Sequence, residues 1–89
     1  MVRAELTVES AQGIHLGPAN LIANTADKFD SSIHFKTEYM DINAKSIINI
    51  VSGTLRYGDT FLCVCDGPDE KKALAAMKEL MAQDLEDLL

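Results

Sequence analysis

The sequence is short of positive charge: eight Lys and Arg stand against fourteen Asp and Glu in 89 residues, a formal net charge of −6 with both histidines neutral. That shortage works against binding a nucleic-acid backbone, which needs clustered cations, and against docking on anionic lipid by charge alone. Long apolar runs are absent as well. The longest wholly apolar stretches are no longer than Phe61 to Cys65, far below the roughly 20 residues a helix needs to cross a bilayer. Met1 to Gln12 alternates apolar and polar residues and has no apolar region of the kind a secretory signal carries. The expected location is therefore the cytoplasm, with no membrane insertion. At 47% apolar residues, the chain can fill one modest core without metal or disulfide staples, as a single domain over residues 1–89. It is too short for an independent enzyme with several sites.

Cysteine is scarce. Cys63 and Cys65 are the only two, and their spacing puts both side chains on one face of an extended strand. In a reducing compartment they read first as buried packing thiols. The competing reading is a metal or redox pair, with no third cysteine and no histidine near in sequence to complete it.

What the sequence does contain is a succession of short periodic segments. Val2, Ala4, Leu6 and Val8 alternate with polar residues, the period of a half-buried strand. Gly13 interrupts this pattern, Pro18 suits a first helical turn, and Leu21, Ile22, Ala26 and Phe29 predict a helix over about Pro18 to Lys28. Ile33 and Phe35 predict a second strand, and Met40, Ile42 and Ala44 a third, joined at Glu38-Tyr39 without the usual turn glycine. Ser46 is a good cap for a short apolar helix, Ile47 to Val51, closed by Gly53. Two helical turns cannot hide Ile47, Ile48, Ile50 and Val51 together.

After a turn at Arg56 to Asp59, Thr60 to Cys65 reads as a strand with Phe61, Cys63 and Cys65 facing inward. Asp69-Glu70 suits a helix start, and Leu74, Met77, Leu80 and Met81 trace the apolar stripe of the last helix. Acids crowd the end of the chain, where the helix dipole disfavours them, which predicts fraying after about Gln83. The order strand, helix, two strands, helix, strand, helix gives an α+β class with helices on one sheet face and water on the other.

The chemistry concentrates at Gly13-Ile14-His15-Leu16-Gly17-Pro18. A neutral imidazole is a nucleophile, and it stands where a following helix would offer free N–H groups to an anion. The alternative is a capping or surface histidine. His34 sits on the water-facing side of its strand with no acid or cysteine beside it in sequence, and reads as solvated. Ser46 is a second candidate: phosphorylation would put about two negative charges at a helix start, which the fold tolerates and an apolar-seeking partner does not.

These residues resemble a known family, the histidine-containing phosphocarrier proteins (HPr) of the bacterial phosphotransferase system. The resemblance rests on Gly13-Ile14-His15 with Pro18-Ala19, Asn43-Ala44-Lys45-Ser46-Ile47, Gly58-Asp59, and Asp66-Gly67-Pro68-Asp69-Glu70, in order and spanning nearly the whole chain. It implies an open-faced β-sandwich, a four-stranded antiparallel sheet with three helices on one face. It also implies phosphoryl transfer from enzyme I, charged by phosphoenolpyruvate, to His15 and on to sugar-specific enzyme IIA components. Such a protein is a monomeric phosphoryl carrier with a phosphohistidine intermediate, needing no cofactor or metal, rather than an independent catalyst. The same likeness makes Leu16 and Gly17 the phosphate cradle, Ile47, Ile48 and Val51 the partner surface, and Ser46 the target of HPr kinase/phosphorylase, with a transcriptional regulator as a further partner.

The sequence departs from the family in three places. Leu16-Gly17 stands where the family usually has an arginine before the proline, Gly53-Thr54 replaces a Leu-Gly pair, and Tyr39 replaces a hairpin glycine. The first removes a guanidinium that would hold the phosphoryl group. It leaves a second expectation open, a mainly regulatory protein controlled at Ser46 with weakened transfer at His15.

Overall fold

The computed structural model describes all of residues 1–89. Strand β1 (Val2–Thr7) is followed by helix α1 (Leu16–Ala26), strands β2 (Ser32–Lys36) and β3 (Asp41–Asn43), helix α2 (Ile47–Ser52), strand β4 (Thr60–Asp66) and helix α3 (Glu70–Met81), then a 3₁₀ turn at Leu85–Leu88. The four strands form one antiparallel sheet in the order β1-β4-β2-β3. The expected class and element order are those observed.

Register explains the division of its faces. Ala4, Cys63, Phe35 and Ile42 stand opposite one another across the strands, as do Val2, Cys65 and Ile33 in the next row. These rows meet the helices, and Phe35 packs its ring against Phe61 at 4.5 Å. Helix α3 adds Ala73, Leu74, Met77 and Met81, while α1 adds Ala19, Ile22, Ala23 and Ala26. Residues two apart along each strand share a face, so the period read from sequence is the period of the core.

Three local expectations are corrected. Helix α1 begins two residues before Pro18, because His15 takes the extended cap conformation (φ −91°, ψ −163°) and Pro18 falls on the third helical position. Its far end is also earlier than Lys28: the amides of Lys28 and Phe29 bond three residues back, to Thr25 and Ala26, so the last turn tightens instead of continuing. The β2–β3 hairpin forms where it was expected, and it needs no glycine because Thr37 Oγ1 accepts from the Met40 and Tyr39 amides at 3.0 and 3.3 Å.

The third correction concerns the end of the chain, which does not fray after Gln83. Asp84 caps the 3₁₀ turn by accepting from the Glu86 amide, and Leu85 is fully buried in the core. The Leu85 amide donates to the hydroxyl of buried Ser10 at 2.9 Å, and the Ala11 amide donates to Asp84 Oδ2 at 3.2 Å. The dipole argument lost to burial: one Leu side chain removed from water is worth about 1.5–3 kcal/mol, more than an exposed charge at a helix end contributes.

Candidate phosphoryl-transfer site

His15 closes the loop from β1 and caps α1, with its side chain half exposed. The loop is held from beneath. Gly13 adopts φ +74°, the Ile14 amide donates to the Leu55 carbonyl at 2.9 Å, and a Cβ on Gly13 would stand 3.0 Å from that same oxygen. Glycine is required there by both conformation and space. Ile14 is buried, so the residue after it is turned out to the surface.

No side chain caps the start of α1. The amides of Leu16 and Gly17 therefore keep their hydrogens for an external acceptor, and Pro18 has none to lose. Beside His15 lies an open depression of about 500 Å³ whose lining includes Gly13, Val51, Thr54, Arg56 and Tyr57. Its ring contacts the far end of the chain: Nε2 hydrogen-bonds Glu86 Oε1. The tail continues over α1, where the Leu89 side chain lies 2.8 Å from the position a Cβ on Gly17 would take.

Of the other candidates, Val51 shares the depression beside His15, while Ser46, Ile47 and Ile48 are not in its lining. Ser46 caps α2, its hydroxyl accepting from the Asn49 amide at 3.2 Å. Of the four apolar residues on α2, Ile50 is buried, Ile47 is half buried against the core, and Ile48 and Val51 are exposed at 79% and 40%. Leu16, at the head of α1, is 67% exposed. Cys63 and Cys65 lie fully buried with sulfurs 4.0 Å apart, and burial raises both thiols above the ordinary cysteine range. No group of three or more His, Cys, Asp or Glu side chains is arranged to hold a metal ion. His34 is outward-facing as expected but has a partner: its Nδ1 bonds Asp41 Oδ1 at 2.7 Å across the β2–β3 pair.

A family model described as the PTS HPr component phosphorylation site matches residues 2–83. This chain is an HPr-family phosphocarrier. The phosphocarrier protein HPr of Treponema pallidum is 34% identical over 87 residues, 98% of this chain and 99% of that one. HPr-C-His from Thermoanaerobacter tengcongensis, a crystal structure, superposes with a TM-score of 0.90 at 30% identity over 97% of both chains. Crh of Bacillus subtilis, a catabolite-repression protein described as a swapped dimer, gives 0.75 at 27% identity over 92% of this chain and 94% of that one. The HPr resemblance read from short motifs is thus one of sequence and fold together.

Two neighbours of His15 were not legible in the sequence. Glu86 is 71 positions from His15, in a segment whose charges argued for disorder. Arg56 read as part of a turn, yet it lines the same depression as His15.

Proposed function

We propose that His15 is the residue of this phosphotransferase-system carrier that accepts a phosphoryl group from enzyme I and passes it to enzyme IIA components. The observation that carries this reading is the position of His15: half exposed, at the uncapped head of α1, with the Leu16 and Gly17 amides next to it. The imidazole supplies the electron pair that forms the phosphorus–nitrogen bond, and the bond from phosphorus to the donor breaks with its pair returning to the donor. The amides take the phosphoryl oxygens. Ile47, Ile48 and Val51 form the surface that successive partners share, in the manner of an apolar interface centre with a polar rim. The carrier works in the cytoplasm as a monomer and without a cofactor.

Incubation with a cognate enzyme I and phosphoenolpyruvate should give an acid-labile phosphoryl adduct on the native chain and none on His15→Ala. An adduct that survives this substitution, or no adduct at all, overturns the assignment.

The Ser46 hydroxyl favours a second, regulatory reading. It caps α2 beside the exposed Ile48, so a phosphoryl group there adds charge to the partner surface while the helix start tolerates it. HPr kinase/phosphorylase with ATP should modify the native chain but not Ser46→Ala, and Ser46→Asp should alter binding to a transcriptional regulator. A Ser46 inert to the cognate kinase removes this reading.

A further inference from the structure

We propose that Cys63 and Cys65 form a redox modification site: a small disulfide oxidises the pair to a bridge when the sheet is open, and the bridged chain cannot close the sheet again. Both are free thiols on the inner face of β4, fully buried, with their sulfurs 4.0 Å apart. They are neighbours because residues two apart on a strand share a face. A bridge needs more than a turn of the two side chains. Two rises along a strand hold same-face Cβ atoms about 6.6 Å apart, whereas a disulfide needs about 3.5–4.5 Å between them. Closing that gap of roughly 2 Å or more requires the backbone to buckle at Val64, the residue between them.

Strand β4 is not free to buckle there, because it lies inside the sheet with β1 on one side and β2 on the other. Val64 stands opposite Arg3 and His34, Cys63 opposite Ala4 and Phe35, and Cys65 opposite Val2 and Ile33. A contraction at Val64 breaks the ladder on both sides at once and displaces two core side chains. In an opened chain no ladder opposes it.

The chemistry is thiol–disulfide exchange. The thiolate of one cysteine attacks a sulfur of the small disulfide and expels one half of it as a thiolate. The thiolate of the other cysteine then attacks the cysteine sulfur of the mixed disulfide and expels the second half. Two electrons pass from the pair to the oxidant, and the two cysteine protons end on the two small thiols released. In the closed sheet neither step has access, since both sulfurs are fully buried and burial keeps both thiols protonated. Protection of the thiols by the fold and exclusion of the fold by the bridge are two sides of one linked equilibrium. A chain oxidised while open therefore stays out of the carrier pool until a thiol reductant breaks the bridge.

The test holds the native chain in one glutathione redox buffer, with and without enough urea to unfold it, starting from reduced and from bridged chain alike. Samples are quenched with acid and weighed by mass spectrometry. The ratio of bridged chain, lighter by two hydrogens, to reduced chain should be at least about tenfold higher in urea than in its absence. Purified bridged chain returned to urea-free buffer should lack slow amide exchange at Cys63, Val64 and Cys65, and dithiothreitol should restore it. Equal ratios with and without urea overturn the proposal, as does a bridged chain that regains native amide protection. Glutathione attached to the separate cysteines in place of the bridge overturns it too, because the pair then has no chemistry of its own.

Discussion

Thr54 carries φ +52°, the one residue other than glycine in the left-handed region. A β-branched side chain there costs about 1–2 kcal/mol relative to ordinary backbone, and its hydroxyl recovers only a 3.3 Å bond to the Ser52 carbonyl. Glycine at this position should raise stability by about 0.5–1 kcal/mol after its own entropy cost, measured as a higher urea midpoint for Thr54→Gly at unchanged slope. The neighbouring glycine serves another purpose. Gly53 has ordinary helical angles, but a Cβ there would meet the Ile42 side chain at 2.3 Å. The Gly-Thr pair that replaces Leu-Gly thus keeps a close approach to β3 and accepts strain one residue later. Nothing in the spacing of apolar residues announces that exchange, because a steric demand from β3 is set across the fold.

At the scale of elements, the tail shows how a segment with poor local prospects is ordered by what it docks on. Ser10→Ala leaves the Leu85 amide without its acceptor, a loss of about 1–3 kcal/mol. Amide exchange should quicken at Leu85 and Glu86 while the central strand β4 stays protected. The start of α3 is tied in a comparable way. Asp69 accepts from the Ser31 hydroxyl at 2.5 Å and from the amides of Asp30 and Ser31 at 3.0 and 2.9 Å. The Ser31 hydroxyl first, then these amides, lower the Asp69 carboxyl to about 2. A carboxylate held below its unfolded value of about 3.9 stabilises the fold above that pH, and its contribution disappears as the pH falls toward about 2. Urea unfolding from pH 5 to pH 2 should therefore show a shallower loss of stability in Asp69→Asn than in the native chain.

At the scale of the molecule, a −6 domain leaves Leu16, Ile48 and Val51 exposed, and the partner surface proposed above calls for partners with basic rims around an apolar centre. Ile48 is 79% exposed, so Ile48→Asp should change folding stability by no more than about 0.5 kcal/mol. Its affinity for enzyme I should nevertheless fall about tenfold or more, by calorimetric titration. An equal loss of stability and affinity would place Ile48 in the core instead of on the partner surface.

The shortage of cations and of long apolar runs, together with periods of two and of 3.6, determined the α+β class, the strand faces and the order of elements. Those properties are local: each segment's pattern declares which side it buries. His15, the helix start after it and the Ser46 cap were legible for the same reason, since each lies within a few residues of the turn or helix that defines it. The tertiary structure alone decided which groups stand beside His15. Arg56 and Glu86 come from other segments, and a contact between residues 71 positions apart is fixed by the packing of Leu85 beneath it and by the close approach of Gly13 to Leu55. The deficit of positive charge next to the histidine in the chain is thus a property of the sequence, and the groups that surround its ring are a property of the fold.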